Sequence, residues 1–208
     1  GLVVPRTAVV TGAARGLGAA IAKRLAADGD RVVLADVNLE GAEEVAAEVG
    51  GTALEHDVRR IESWERLLAA AGDVDVLVNN AARTEIRPFF EIDLDEWDDV
   101  LATNLRGTYL GIRVVGAHMR ERGSGRIVNL ASVAGQNSRA VTGVHYATSK
   151  AAIIALTRHA ATELAGTGVT VNAVAPAAID GPMVATVAPE RLEAMLKTIP
   201  VGRLGRPE

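Results

Sequence analysis

The sequence predicts an α/β fold of three layers, a doubly wound parallel sheet between two layers of helices, in a single domain. Strand-like and helix-like segments alternate along all 208 residues, which is the pattern of repeated βαβ units. The strand-like segments are nearly continuously apolar, as expected where helices cover both faces of a sheet. With 49% hydrophobic residues and no repeat or linker, the chain has enough apolar residues for one core.

The first half of the chain contains four predicted strands. The run "TAVVT" (7–11) is short and β-branched and ends at a glycine cluster, and helical sequence from 17 to about 27 follows until "DGD". The second strand is "RVVLAD" (31–36), followed by an alanine- and glutamate-rich helix at 39–49. The third and fourth strands, "TALEHD" (52–57) and "VDVLVNN" (74–80), flank a helix at 62–71.

The second half alternates in the same way. A long helix is predicted over about 94–119, then the strand "GRIVNLAS" (125–132), a helix over about 144–165 and the strand "GVTVNAVAP" (168–176). Right-handed crossovers between these parallel strands give a doubly wound sheet, which binds ligands at the carboxyl ends of its strands.

The composition excludes several classes of function. A net charge of -4 and a pI near 5.6, with no basic stripe, argue against nucleic-acid binding. Neither a signal pattern nor a run of about 20 uncharged apolar residues is present, so we expect no membrane segment and a cytoplasmic location. The absence of cysteine excludes disulfides and thiolate chemistry. The four histidines have no short ligand spacing, so we expect no metal site.

A glycine-rich segment, "TGAARGLG" (11–18), lies at the junction of the first strand and the first helix. Gly12 can adopt a turn conformation, Gly16 permits the backbone to approach a pyrophosphate, and Gly18 permits close packing of the helix on the strand. The helix N-terminus presents free N–H groups to phosphates. A glycine-rich turn without a ligand has the same pattern, so further residues are needed to indicate a dinucleotide site.

Asp36 is the residue that favours NAD(H). It ends the second strand, where a carboxylate can accept hydrogen bonds from both hydroxyls of the adenosine ribose. The same carboxylate would repel the 2′-phosphate of NADP(H). Arg15 is the opposing signal, because its charge could attract that phosphate. We therefore expect NAD(H) as the cofactor, with NADP(H) as the alternative.

A tyrosine and a lysine lie four positions apart near the start of the helix at 144–165. Tyr146 and Lys150 should share one helix face, one turn apart. The ammonium would favour the ionised phenol and lower its pKa, which is about 10 for an unperturbed tyrosine. Such a phenol could exchange a proton with a substrate oxygen during hydride transfer. The alternative is a packed ring beside a solvated amine.

Four motifs follow one another along the chain: "TGAARGLG", "NNAA" (79–82), Ser132 and "YATSK" (146–150). In these motifs the chain resembles the short-chain dehydrogenase/reductase family, and the resemblance covers nearly all of residues 7–208. It implies a Rossmann-type domain and nicotinamide-dependent oxidation or reduction of alcohol and carbonyl groups. It also implies a catalytic tetrad, which consists here of Asn104, Ser132, Tyr146 and Lys150.

The tetrad members have distinct expected roles. Tyr146 is the general base in oxidation and the acid in reduction, and Lys150 lowers its pKa and holds the nicotinamide ribose. Ser132 bonds the substrate oxygen and stabilises its developing charge. By resemblance, Asn104 kinks the long helix and holds a water linked to Lys150.

The resemblance also assigns positions to the cofactor. Asp57 and Val58 fall where the family contacts the adenine, and Asn79 begins the motif that flanks the adenosine and steadies the central sheet. The cofactor-binding residues expected in this way are Gly12, Arg15, Gly16, Leu17, Gly18, Asp36, Asp57, Val58, Asn79, Ala81, Tyr146, Lys150, Pro176 and Ile179.

Three departures from the family's pattern stand out. Ala82 replaces a glycine of the second motif. Ala177 and Gly181 stand where relatives have a glycine and a threonine that bonds the nicotinamide amide, so backbone near Ile179 is the expected anchor. The last helix and last strand that the family has after "GRLGRPE" are missing from this sequence.

The leading interpretation is an NAD(H)-dependent oxidoreductase that interconverts a secondary alcohol and a ketone of small size. One alternative is an NADPH-dependent 3-oxoacyl reductase, against which Asp36 argues. The other is a catalytically inactive dinucleotide-sensing protein of the same fold, which the missing threonine hydroxyl leaves open.

Further predictions concern the substrate and the assembly. Residues 183–200 carry apolar side chains at roughly helical spacing and are predicted to form a lid, or alternatively an ordinary amphipathic helix on the core. Arg139 and His145 could meet an acidic or polyol substrate, although exposed loop side chains without a ligand are the favoured interpretation. The long helix and the tyrosine helix are too broadly apolar for one sheet face, which predicts a homo-oligomer, dimer or tetramer.

Overall fold

A computed structural model describes residues 5–137, 142–185 and 187–207. Within them six strands form one sheet of order β3-β2-β1-β4-β5-β6, and every neighbouring pair is parallel. The strands are β1 (Thr7–Thr11), β2 (Arg31–Asp36), β3 (Thr52–Glu55), β4 (Val76–Asn79), β5 (Gly125–Leu130) and β6 (Val169–Val174). The predicted doubly wound parallel sheet is confirmed, and its order reverses between β1 and β4, where this class of fold opens a crevice for ligands.

Helices cover both faces of the sheet. The α-helices of the described residues are α1 (Gly16–Ala27), α2 (Leu39–Val49), α3 (Ile61–Ala71), α4 (Leu94–Leu101), α5 (Gly107–Gly111), α6 (Ala117–Arg122), α7 (Val144–Glu163), α8 (Pro182–Ala185) and α9 (Pro189–Thr198). One core cluster joins α1 and α2 to Ala8 and Val10 of β1, and the other joins α3, α5, α6 and α7 to Val9. Successive side chains of β1 point to opposite faces of the sheet. Because helices cover both faces, β1 is apolar along its central residues.

The long helix predicted over 94–119 is not a regular α-helix. Between α4, α5 and α6 it contains two π-helical turns, at Ala102–Arg106 and Ile112–Gly116. Glycines permit unusually close packing of this segment. A Cβ on Gly107 would lie 2.8 Å from the Val58 side chain, and one on Gly111 would lie 2.7 Å from the Trp64 ring. Trp64 is fully buried in the core.

Several strands end earlier than predicted, which releases polar side chains at the carboxyl edge of the sheet. β3 ends at Glu55, so Asp57 lies in the turn that follows, and β5 ends at Leu130, two residues before Ser132. Side chains beyond the last ladder hydrogen bond no longer alternate strictly between the two helix layers. Among the helices of the described residues, none is long and apolar enough to span a lipid bilayer.

Candidate active site

The glycine loop has the conformation and the crowding that its sequence predicted. Gly12 and Gly16 have φ angles of 65° and 57°, in the left-handed region that favours glycine. A Cβ on Gly18 would lie 2.1 Å from the carbonyl oxygen of Gly12, so a larger residue there would push α1 away from β1. At Gly16 a Cβ would lie 3.4 Å from the Pro182 ring, which brings the start of α8 close to the loop.

Thr11 and Asn80 hold this loop in place, a role that was not predicted from the sequence. The Asn80 amide donates to the carbonyls of Thr11 and Gly12, at 3.0 and 3.1 Å. The Thr11 hydroxyl accepts from the N–H groups of Asn80 and Ala81, both at 3.1 Å. Asn80 belongs to the "NNAA" motif, so its position in that motif was the available signal.

The Asp36 carboxylate is fixed at the end of β2, beside the glycine loop. One carboxylate oxygen accepts from Ala14 N at 3.0 Å, and the other accepts from Asn38 N at 2.9 Å. A carboxylate has about four lone-pair sites, so two bonds leave acceptor capacity for hydroxyl groups. Arg15 is exposed at the start of α1.

The residues expected at the adenine are held by neighbours of their own. The Arg59 guanidinium hydrogen-bonds Asp57 and holds the pKa of that carboxyl below its ordinary value. Arg59 also donates to Asp99 of α4 at 2.7 Å. Val58 is buried, and its carbonyl accepts from the Trp64 indole at 3.0 Å. Contact of Asp57 and Val58 with an adenine stays a prediction.

A buried chain of amides and a hydroxyl joins the centre of the sheet to α7. The Asn79 amide donates to Asn129 of β5 at 2.9 Å, and Asn129 donates to the Thr157 hydroxyl of α7 at 3.0 Å. These bonds are consistent with the expectation that Asn79 steadies the sheet. The roles of Asn129 and Thr157 were not predicted, because neither residue stands in one of the four sequence motifs.

Tyr146 and Lys150 lie on one face of α7, and both are buried in the chain, with 7% and 3% of their surface exposed. Lys150 Nζ lies 5.6 Å from the centre of the Tyr146 ring and donates to the Leu130 carbonyl at 2.5 Å. A hydrogen bond joins the phenol of Tyr146 to Ser132. The Ser132 hydroxyl also accepts from Ala134 N at 3.1 Å, which fixes it at the turn after β5.

The ammonium of Lys150 does not by itself lower the pKa of Tyr146, contrary to the prediction. Burial raises the pKa of Tyr146 above its ordinary value, and the hydrogen bond with Ser132 offsets only part of that change. Burial also lowers the pKa of Lys150, to about 8. Attraction between phenolate and ammonium would lower the pKa of Tyr146, but the cost of removing each charge from water is the larger effect here.

Asn104 lies in the first π-helical turn, so the helix departs from regular geometry at the residue where a kink was expected. Its side chain is fully buried. The amide oxygen accepts from Arg83 N at 2.7 Å, and the amide nitrogen donates to Arg83 O at 2.9 Å and to the Ser149 hydroxyl at 3.0 Å. Asn104 therefore ties the segment after β4 to α7, and its link to Lys150 through a water stays a prediction.

His145 is not the exposed loop side chain that the sequence favoured. It lies in the first turn of α7, is fully buried, and has both ring nitrogens in hydrogen bonds, so it offers no free nitrogen to a substrate. The sequence did not indicate this, because its partner Glu96 is distant along the chain. Arg139, the other candidate for substrate contact, lies outside the described residues.

The segment after β6 contains Pro176 and Ile179, which are expected to bind the cofactor. The Pro176 carbonyl accepts from Val133 N at 3.1 Å, next to the Ser132 turn. Ile179 forms a parallel bridge with Gly205. The predicted lid, 183–200, includes α9, in which no residue is fully buried. Thr186 and the side chain of Met183 lie outside the description, and the role as a lid stays a prediction.

Comparison with known proteins identifies the family. The model of a family described as short chain dehydrogenase matches residues 6–192. The chain belongs to the short-chain dehydrogenase/reductase family. It is an oxidoreductase of that family, whose members act on alcohol or ketone groups with a nicotinamide dinucleotide.

Relatives of known name differ in substrate. The chain is 42% identical to a sorbitol dehydrogenase of Cereibacter sphaeroides, over 85% of this chain and 71% of that one. A solved 3-oxoacyl-[acyl-carrier protein] reductase of Brucella melitensis has a TM-score of 0.91 at 36% identity, over 97% and 80% of the two chains. A protein assigned as an NAD(P)-dependent gluconate 5-dehydrogenase of Beutenbergia cavernae, solved with NADP at low occupancy, has a TM-score of 0.91 at 39% identity, over 98% and 85%.

Proposed function

We propose that this short-chain dehydrogenase/reductase uses NAD(H) to interconvert a secondary alcohol and a ketone, with Tyr146 as general acid and base. The observation that carries the proposal is the hydrogen bond between Tyr146 and Ser132, with the Lys150 ammonium 5.6 Å from the tyrosine ring. A phenol, a hydroxyl and an amine converge beyond the end of β5, at the edge of the sheet where this fold binds ligands.

Each of these side chains has a separate task in the proposed reaction. A bound nicotinamide dinucleotide supplies or accepts the hydride. Ser132 donates a hydrogen bond to the substrate oxygen and so stabilises its developing negative charge. Tyr146 gives its phenolic proton to that oxygen in reduction and removes the proton in oxidation. Its raised pKa keeps the phenol protonated at neutral pH, which suits proton donation to a carbonyl oxygen.

Lys150 keeps a positive charge beside the phenol at neutral pH in most molecules, because its pKa of about 8 lies above 7. That charge favours the phenolate that forms when Tyr146 has given up its proton. The ammonium is held by the Leu130 carbonyl through a 2.5 Å hydrogen bond, which leaves two of its three N–H groups for other partners. The nicotinamide ribose is the expected partner.

The residues present fit an adenine dinucleotide. The loop at Gly12 and Gly18 has no room for a Cβ, and α1 begins beside it, which is the geometry that holds a pyrophosphate. Asp36 retains acceptor capacity for ribose hydroxyls after its two backbone hydrogen bonds. Its charge supports NAD(H) over NADP(H), although Arg15 and the NADP found in the gluconate dehydrogenase relative support the opposite.

The names of the relatives support two classes of substrate. Sorbitol and gluconate are polyhydroxylated, so a small polyol or its keto form is the class that we favour. The second candidate is reduction of a 3-oxoacyl group with NADPH, which the resemblance to the Brucella reductase supports. Incubation with NAD and a polyol panel, and separately with NADPH and a 3-oxoacyl thioester, distinguishes the two by absorbance of the reduced cofactor.

The test of the proposed mechanism is Tyr146→Phe. Loss of the only proposed proton donor should reduce kcat by at least about 10²-fold while leaving the dissociation constant of NAD within about twofold. Tyr109→Phe is the matched control, because Tyr109 lies on α5 and is 44% exposed. Wild-type activity retained by Tyr146→Phe would show that another group transfers the proton.

A further inference from the structure

The N-terminus of α7 is capped in an unusual way. Its N-cap residue is Gly143, which has no side chain to accept from the first N–H groups of the helix. The ring of His145 does so instead, because its Nδ1 atom accepts from the N–H of Tyr146 at 3.0 Å. A backbone N–H can only donate, so Nδ1 must be unprotonated and the ring proton must lie on Nε2. The cap is thus provided by the neighbour of the proposed proton donor.

Glu96 holds the ring in this orientation. The Nε2 atom of His145 donates to Glu96 of α4 at 2.8 Å, and the other oxygen of that carboxylate accepts from Arg87 at 2.6 Å. Burial alone would raise the pKa of Glu96, but the hydrogen bonds from His145 and Arg87 outweigh it, and the pKa lies below its ordinary value. An ionised carboxylate accepts from Nε2 and favours the tautomer in which Nδ1 is free to act as the cap.

The backbone beside the His145 ring leaves space for it. A Cβ on Gly143 would lie 2.3 Å from Cε1 of His145, so only glycine leaves space for the ring at this position. The N–H of Gly143 donates to the Glu85 carbonyl at 3.2 Å, in the segment between β4 and α4. Two independent links, Glu96–His145 and Glu85–Gly143, therefore tie the start of α7 to α4 and to the segment that precedes α4.

We propose that His145 is a positioning residue, which fixes the first turn of α7 and thereby the phenol of Tyr146, and that Glu96 orients it. The proposal rests on the role of Tyr146 proposed above. The backbone N–H of Tyr146 donates directly to the His145 ring, so a rotation of that ring would break a hydrogen bond that holds the residue carrying the phenol. Misplacement of a reacting group by about 1 Å can cost on the order of 10²-fold in rate.

Substitutions at position 145 separate the two hydrogen bonds. His145→Ala removes both and should lower kcat about 10-fold or more, with the dissociation constant of NAD unchanged within about twofold. His145→Asn retains an acceptor near Nδ1 and should recover at least half of the lost activity, whereas His145→Gln retains only a donor toward Glu96 and should not. His159→Ala is the control, because His159 is an exposed histidine of the same helix.

Hydrogen–deuterium exchange tests the positioning independently of turnover. In His145→Ala, peptides that cover 144–150 should exchange at least about fivefold faster than in the wild type, while peptides from the end of α7 should not change. Glu96→Ala should produce the same local increase, and adding it to His145→Ala should produce little more, because both changes remove one linked pair.

The outcomes distinguish this proposal from the proposed function. Faster exchange at 144–150 with a wild type that turns over no alcohol or ketone would support the cap and refute the assigned reaction. Unchanged exchange and unchanged kcat in His145→Ala would overturn the cap and leave the assigned reaction intact. Equal losses of kcat in His145→Asn and His145→Ala would also overturn it, because the acceptor at Nδ1 would then not matter.

Discussion

The buried ammonium of Lys150 should make the stability of the protein depend on pH in a way that one substitution isolates. Burial lowers the pKa of this amine from 10.5 to about 8, whereas the unfolded chain keeps the ordinary value. Between these two values the unfolded state binds more protons than the folded state, so the stability due to this group rises with pH. Lys150→Met removes the titrating group and keeps a long apolar side chain.

The size of the effect follows from the two pKa values. Since one pKa unit corresponds to about 1.4 kcal/mol, the change from 10.5 to about 8 costs the folded state roughly 3 kcal/mol below pH 8. Raising the pH from 7 to 9 should relieve about 1.3 kcal/mol of that cost in the wild type and none in Lys150→Met. The titration of Tyr146 occurs in both proteins and therefore largely cancels from the difference.

Urea unfolding at pH 7, 8 and 9 measures this difference, using the free energy of unfolding of the two proteins at each pH. We expect the free energy of unfolding of the wild type to increase by about 1.3 kcal/mol relative to that of the variant from pH 7 to 9, with most of the increase between pH 8 and 9. Lys197→Met is the control, because Lys197 is exposed and paired with Glu193. Parallel pH profiles of the free energy of unfolding in the wild type and Lys150→Met would refute the reasoning, because they would mean that the Lys150 amine is solvated in the folded protein.

Two further predictions concern the cofactor and the assembly. Asp36→Ala should weaken NAD binding about tenfold in isothermal titration calorimetry and leave NADP binding equal or tighter. The reason is that the lost carboxylate accepts ribose hydroxyls and repels a 2′-phosphate. An equal loss of affinity for both dinucleotides would contradict this role. The wild type should sediment as a dimer or tetramer, and Leu156→Glu should shift it to smaller species. The reason is that Leu101, Leu105 and Leu156 are only partly buried in one chain. A wild type that is monomeric at every concentration would contradict the prediction.

The sequence was sufficient to predict the parallel sheet and the conformation of the glycine loop. Continuous apolar strands between helical segments determine the parallel sheet, and Gly12 and Gly18 are crowded at the positions where small residues were expected. Part of the long helix, which was predicted to face an oligomer partner, belongs instead to the core of the single chain. Val115 and Met119 are fully buried without any partner, which helical spacing alone could not reveal, because a residue's exposure depends on what lies across from it.

Contacts between distant segments account for what the sequence did not predict. The hydrogen bonds of Asn80 to the glycine loop and of Glu96 to His145 join residues 49 or more positions apart. The direction of the Tyr146 pKa depends on how much water the ring loses, which is a property of the packed protein. Motif spacing identified which side chains to consider, and burial determines how each one behaves.

The two π-helical turns give the segment 94–122 a property that a regular helix lacks. A π-helical turn takes up one additional residue, and one residue corresponds to a rotation of about 100° around the helix axis. Side chains after such a turn are thus rotated relative to a regular helix, and in this segment Glu96 hydrogen-bonds His145 while Met119 is buried in the core. Deleting one residue from 102–106 would remove the first of the two π-helical turns and rotate the residues before it by about 100° relative to those after it, so Glu96 and Met119 would not both keep their positions. The length of this segment is therefore constrained to the residue.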